Sequence, residues 1–269
     1  MPEGQAIVTG TMTALAGLGA ILTALTLVWL LSVKLRDASI ADVCWGSGSV
    51  LLAWLYCLLS PTLTSRSWLA AALVTLWGAR LSLHIFRRNH GKVEDPRYQA
   101  MRAAHGRTFW WRSLFTVFWL QGAILWFVAL PLLVAVRAAA PAALNAVDGL
   151  GVLLFAIGFG FEVVGDYQLE RFKAEPGSVG HVLDRGLWRY TRHPNYFGDA
   201  TMWWGMYAIA ASTPGGWLTV LSPFLMTLLL MRVSGVTLLE ESLKVSKPGY
   251  RAYIMRTPVF FPWFPRAQR

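Results

Sequence analysis

The stretch MTALAGLGAILTALTLVWLLSV, residues 12–33, decides the fold, because it continues for a bilayer's thickness without a single charged side chain. A helix needs about 20 such residues to cross the hydrocarbon. Working outward, runs of comparable character recur at 39–60, 68–86, 113–136, 146–165, 196–212 and 215–231. The reading is therefore all-α: a polytopic membrane protein of about seven transmembrane helices. Pro131 predicts a kink in the fourth run, and STPGG at 212–216 predicts the turn of a tight helical hairpin between the last two. Composition agrees. Of 269 residues, 55% are hydrophobic and only 14% charged, against roughly 25% charged in an average soluble domain.

The charges are unevenly shared, 24 Lys and Arg against 14 Asp and Glu, for a formal net charge of +10. Beside such long apolar runs, that excess points to anionic lipid headgroups or an anionic cofactor rather than to nucleic acid. Counted in alternate loops, 21 basic residues fall on one side, only Arg66 and Arg137 on the other, and Arg80 lies within a run. The positive-inside rule then sets the N-terminus outside and the C-terminus in the cytosol, and the alternation is clean only with seven spans. Met1 to Met12 carries Glu3 and no Lys or Arg, unlike the basic start of a signal peptide, so the first run is expected to be retained. Cys44 and Cys57 sit in one apolar run without metal-ligand spacing and read as packing residues. No soluble second domain, internal repeat or protein partner is indicated.

Several polar residues are not explained by a membrane span, where ionisable groups are functional candidates by default. Asp42, Trp45, Gly46 and Ser49 line one helical face, with Gly46 leaving room for a close neighbour. Trp77, Arg80 and His84 share another. Asp42 and Arg80 can form a structural ion pair, or Asp42 and His84 can face a substrate cavity with Arg80 tuning their protonation; the two are compatible. HIFRRNHGKVEDPRY at 84–98 reads as an interface-anchored loop, or as the cover of a nucleotide pocket. Glu162, Asp166, Arg171 and Lys173 bring both signs of charge to the end of the 146–165 run. Cations for phosphate and a carboxylate for ribose hydroxyls or an amide suit a nucleotide.

The densest signal is GLWRYTRHPNYFGD, 186–199. Pro194 suits the first turn of a helix, and Arg189, Arg192 and His193 gather beside its N-terminus, where guanidinium and helix dipole together favour an anion. Asp199, one turn further in, needs a partner such as a ligand amide or Tyr190. Beyond the last run, Arg232 and Glu240 are eight apart, near one face of a continuing helix. An amphipathic tail with Tyr250, Tyr253 and TPVFFPWFP at 257–265 is expected to fold back as a lid against the membrane surface.

RHPNYFGD at 192–199, with Arg232, the pair Glu240-Glu241 and the terminal Tyr-x-x-Tyr before aromatics and prolines, resembles the steroid 5-alpha-reductase and sterol reductase superfamily. The closest likeness is to its bacterial DUF1295-type members of unknown substrate. DVCWGSG at 42–48, WGARLSLHIFRR at 77–88 and EDPRY at 94–98 extend it over most of the chain. The resemblance implies a single membrane-embedded domain of seven helices, with 1–136 on the substrate side and 146–269 binding NADPH from the cytosol. Carried over by position, the cofactor residues are Asp166, Arg171, Lys173, Tyr190, Arg192, His193, Asn195, Asp199, Arg232 and Tyr253. The implied reaction is an NADPH-dependent reduction of a carbon-carbon double bond, conjugated to a carbonyl, in a steroid-like or other lipid substrate. Asp42 and His84 are the catalytic candidates, and a bacterial inner membrane is the implied location.

The chain departs from that pattern in one place. Steroid 5-alpha-reductases pair a glutamate in the second span with a tyrosine in the third. Here Asp42 is the only acid of the second run, and Ile85 stands where the tyrosine belongs, which leaves that role to His84 or to a tyrosine from elsewhere and leaves the substrate open. RHPNY with Glu240-Glu241 also resembles the isoprenylcysteine carboxyl methyltransferases, which use S-adenosylmethionine. The phosphates of NADPH demand several cations, which Arg171, Lys173, Arg189 and Arg192 supply, and this favours the reductase. A non-enzymatic scaffold or transporter is the third alternative, without the broken-helix pair that transporters use.

Overall fold

Each apolar run is largely helical in the computed structural model, which describes residues 3–233 and 236–266. No strand occurs among the described residues. Five helical stretches are long and apolar enough to cross a membrane: Thr9–Leu35, Ile40–Leu58, Ser65–Asn89, Pro96–Val128 and Ala146–Ala174. Much of their apolar surface finds no cover within the chain. Only 17% of the most apolar window of the first stretch is buried, and Leu27, Leu30, Trp54, Leu58 and Leu76 are exposed. Apolar area on that scale is stable against lipid and unstable against water. The architecture is that of an all-helical membrane protein. The expected sixth and seventh spans coincide with shorter helix, Pro194–Ala211 and the apolar stretch Gly216–Arg232.

The chain divides into two compact units, Met1–Asn145 with Ala210–Trp217, and Ala146–Ile209 with Leu218–Arg269. The first contains α1 (Glu3–Leu35), α2 (Ile40–Leu58), α3 (Ser65–Asn89), α4 (Pro96–His105), α5 (Phe109–Ser113), a π-helical turn at Leu114–Trp119, α6 (Leu120–Val128) and α7 (Leu130–Arg137). The room expected at Gly46 is taken by the backbone of α3, since a Cβ at Gly46 or at Gly78 would collide with the carbonyl oxygen of the other. Ser82 Oγ ties the same crossing by donating to Val43 O at 2.7 Å and accepting from Ser47 N at 2.8 Å. The expected break near Pro131 falls at Ala129, and Pro131 occupies the first turn of α7, where its missing N–H is harmless. The two arginines on the sparsely charged side are bound within the unit. Arg66, 0% exposed, donates to Pro141 O at 2.7 Å and Ala143 O at 3.1 Å; Arg137 donates to Thr13 Oγ1 at 2.7 Å.

The second unit holds α8 (Ala146–Ala174), nearly all of α9 (Pro194–Ala211), α10 (Leu221–Leu228) with a π-helical turn at Leu229–Val233, α11 (Val236–Ser246) and α12 (Tyr250–Arg256). Glycines recur every seven residues on both long helices, which returns them to one face. Gly151, Gly158 and Gly165 of α8 meet Gly205, Gly198 and Pro194 of an antiparallel α9. A Cβ at Gly158 would lie 2.6 Å from Met202 N, and one at Gly205 2.7 Å from Phe155 N. Small residues let the two backbones touch, the packing that substitutes for hydrophobic drive inside a membrane.

Candidate functional site

The site of the second unit begins where α8 leaves its glycine face. Phe172, Leu183 and Trp188 form a small core with Leu169. Trp188 Nε1 donates to Gly165 O at 3.0 Å, and Gln168 Oε1 accepts from Leu187 N at 2.9 Å. These contacts hold the 186–193 segment against α8, and α9 then starts at Pro194.

Asn195, in the first turn of α9, donates through Nδ2 to Asp166 Oδ1 of α8 at 3.0 Å, and its own Oδ1 accepts from Tyr196 N at 3.0 Å. Asp166 is 6% exposed. Asp199 follows one turn along α9, half-buried, and Glu162, one turn back on α8, is buried. Two carboxylates and an amide of the expected cofactor set thus gather on one helix pair. Arg171 and Lys173, at the end of α8, are exposed, with Arg171 Nη1 3.4 Å from Tyr167 Oη.

Arg192 and His193 form a second cluster around Glu240. Arg192 donates to both carboxylate oxygens of Glu240, at 2.7 and 3.2 Å, and to the carbonyls of Ile254 and Thr257 at 3.2 and 2.7 Å. His193 Nε2 lies 3.0 Å from Glu240 Oε1. All three side chains are buried. Burial alone would raise the Glu240 carboxyl, but hydrogen bonds from His193 and Arg192 and their charge outweigh it and hold it down at about 2. With Glu240 ionised, His193 Nε2 is the donor of that bond. His193 Nδ1 is buried and has no hydrogen-bond partner among the described residues, while the ring stacks on Tyr196 with centroids 5.4 Å apart.

The same cluster holds the C-terminal tail. Arg192 N donates to Pro258 O at 2.9 Å, Thr191 Oγ1 to Phe260 O at 2.8 Å, and Trp263 N to Tyr190 O at 2.9 Å. The tail, expected against the membrane surface, runs along Tyr190–Phe197 of its own unit. Tyr190 is exposed and meets Phe264 edge-on. Tyr253 is buried and donates to Trp188 O; burial pushes its phenol above the ordinary range. The continuing helix expected from Arg232 to Glu240 includes residues 234–235, which lie outside the described residues. Arg232 is exposed, Glu240 turns inward to Arg192, and Glu241 is exposed beside Lys244 at 2.7 Å.

In the first unit Asp42 is the centre of a separate network. Its Oδ2 accepts from Arg97 Nη2 at 2.7 Å and its Oδ1 from Tyr98 Oη at 2.6 Å. Gln121 Nε2 donates to Tyr98 Oη at 3.0 Å, and Trp45 Nε1 to Gln121 Oε1 at 2.9 Å. The loop leading to Tyr98 is built rather than merely solvated. Asp95 caps α4 through Arg97 N at 2.9 Å, and Glu94 binds Arg102 at 2.8 and 2.9 Å and Ala38 N at 2.8 Å. Hydrogen bonds from these partners outweigh burial and hold both carboxyls below their ordinary range. His84 and Arg80 are half-buried on α3. Tyr98 and Gln121 were not singled out as site residues by sequence reasoning, and Glu240 was read only as a motif residue sharing a face with Arg232. Their partners lie 23 to 76 residues away, so no local spacing marks them.

Comparison with known proteins covers most of the chain. The chain is 29% identical over 271 residues to "Uncharacterized protein C594.04c" of Schizosaccharomyces pombe, covering 87% of this chain and 75% of that one. No solved structure matches it. A family model described as "Protein of unknown function (DUF1295)" matches residues 28–257, a range that takes in the Asp42 network, the glycine-packed pair α8 and α9, and the Arg192–Glu240 cluster, and the chain therefore belongs to the DUF1295 family.

Proposed function

We propose that the chain is a membrane-bound, NADPH-dependent reductase of a carbon-carbon double bond conjugated to a carbonyl in a steroid-like or other lipid substrate, related to the steroid 5-alpha-reductase and sterol reductase superfamily. The observation that carries this reading is the Asn195–Asp166 hydrogen bond on a helix pair already packed glycine to glycine. Such a pair needs no polar contact for its own cohesion, so a buried carboxylate and an amide set against each other at its end are functional candidates. The residues present fit NADPH: Asn195, Asp166 and Asp199 offer partners for ribose hydroxyls and a carboxamide, and the exposed Arg171 and Lys173 offer cations for phosphate. When bound, NADPH supplies the hydride. In this reading Arg192 and Tyr253, engaged by Glu240 and by Trp188 O, position the start of α9 and the tail rather than touch the cofactor. His193 keeps Nδ1 for a hydrogen bond to a ligand, and Arg232 and Tyr190 stay exposed for one.

The acid is assigned to the first unit. Tyr98 takes the role left open by Ile85: its hydroxyl, which accepts from Gln121, turns its single proton from Asp42 Oδ1 to the substrate carbonyl. His84 is the second candidate. For topology, we assign α9 and Gly216–Arg232 as the sixth and seventh spans, with the N-terminus outside and the C-terminus in the cytosol. The internal bonding of Arg66 and Arg137 supports this, because neither is available to headgroups on the outer side. A cell membrane is the proposed location, bacterial or, given the yeast relative, eukaryotic.

One observation favours a second reading. The Arg192–His193–Glu240 cluster joins the two halves of the motif shared with isoprenylcysteine carboxyl methyltransferases. Titrating the purified chain in detergent with NADPH and with S-adenosylmethionine, reading thermal stabilisation, separates the two. Saturable stabilisation by NADPH alone is expected. A shift with S-adenosylmethionine alone overturns the reductase in favour of the methyltransferase; stabilisation by neither favours a scaffold or transporter.

A further inference from the structure

Four arginines line one open cleft of about 420 Å³ in the second unit. Arg185 and Arg189 come from the segment before α9, and Arg256 and Arg266 from the end of α12 and the tail. The backbone holds that arrangement: Arg266 N donates to Arg256 O at 2.8 Å, and Trp263 N to Tyr190 O at 2.9 Å. Two of the four cations are neutralised, Arg256 by Asp184 within the cleft and Arg185 by Glu175. Arg189 and Arg266 have no ion pair among the described residues. The lining therefore keeps an excess of positive charge, which draws an anion to the cleft. A positive-inside flank accounts for basic residues in each segment, but not for two segments some seventy residues apart lining a single cavity with them.

We infer that this cleft binds a phosphate group carrying two negative charges, presented either by a free phosphate compound or by the headgroup of an anionic lipid. Guanidinium is the side chain matched to that ligand, because its planar fork donates two parallel hydrogen bonds to phosphate oxygens. The volume is in the range of small-molecule sites and accepts the phosphate together with part of its carrier. The exposed Arg189 and Arg266 supply the uncompensated charge, and Asp184 sets an upper limit on affinity by occupying Arg256. Neither Asn195 nor Asp166 lines the cleft, and Arg189, counted in the sequence among cations for the NADPH phosphates, is the one residue the two readings share; the Asp166→Ala arm of the test keeps them distinguishable.

The test uses the full chain in neutral detergent, titrated with inorganic pyrophosphate and with short-chain phosphatidate, phosphatidylcholine serving as the zwitterionic control. Saturable binding of at least one of the two anions is expected. The double substitution Arg189→Gln and Arg266→Gln should weaken it about tenfold or more, the loss of charge-assisted hydrogen bonds. Asp184→Asn should tighten it by freeing Arg256, and Asp166→Ala should leave it unchanged. Phosphatidate binding tighter than pyrophosphate assigns a headgroup; pyrophosphate that phosphatidate does not displace assigns a free phosphate compound. No saturable binding of either, or binding unaltered both in the double variant and in Asp184→Asn, overturns the inference.

Discussion

The acid networks around Asp42 and Glu94 in the first unit and around Glu240 in the second hold charge in opposite ways. In the first, Asp42 meets Arg97, whose side chain is 47% exposed, and Glu94 meets Arg102, 37% exposed. Each acid is drawn toward water by a partner that remains in it. In the second, Arg192, His193 and Glu240 are all about 10% exposed or less and satisfy one another. A half-solvated pair contributes little, because water competes for both charges. A buried cluster contributes little by comparison with an apolar replacement, yet breaking it strands a charge. The first arrangement tolerates change and suits residues that must exchange protons or ligands. The second fixes a geometry.

That contrast is broken most directly at Glu240. Glu240→Gln strands the Arg192 guanidinium and should destabilise the chain by about 3–5 kcal/mol in denaturant unfolding. A loss below about 1 kcal/mol would place the cluster with the exposed pairs instead. Next in size is the helix pair on which the site is built. Gly158→Ala should cost about 1–3 kcal/mol by forcing α8 from α9. Gly160→Ala, which meets nothing within 4 Å, should be neutral or slightly stabilising. In the first unit, Tyr98→Phe leaves Asp42 with Arg97 and should cost about 1 kcal/mol. Smallest of all, removing the exposed Glu241–Lys244 pair should change stability by no more than about 0.5 kcal/mol.

Acid sharpens the same comparison. Glu240 is held at about 2, below its ordinary 4.5, so its contribution is complete above about pH 4.5 and is lost as pH falls through about 2. Unfolding measured at intervals down to about pH 2 should show a steep loss in the wild type. Glu240→Gln should show a shallower one over the same window.

What the sequence discloses follows from the range of each interaction. Apolar runs and the break near Pro131 are local, and the all-helical membrane architecture was legible from them. Gly46 was legible as a point of close approach because it lies on the Asp42–Ser49 face. The seven-residue recurrence of Gly151, Gly158 and Gly165 is an equally local signal of helix contact, and it was overlooked beside the more conspicuous charges. The pairings of Arg192 with Glu240 and of Asp42 with Tyr98 depend on how distant segments dock. No period within either segment encodes them. For that reason Arg192 reads as an anion ligand in sequence, while in the fold its guanidinium is engaged by a carboxylate and two carbonyls.

The claim on which the account rests is that the second unit carries the cofactor site and the first unit does not. NADPH fluorescence titrated against the purified chain tests it most directly, with Asp166→Ala from the second unit and Asp42→Asn from the first. The account predicts saturable binding in the wild type, loss of binding in Asp166→Ala and unchanged affinity in Asp42→Asn. Retained binding in Asp166→Ala together with lost binding in Asp42→Asn would contradict it.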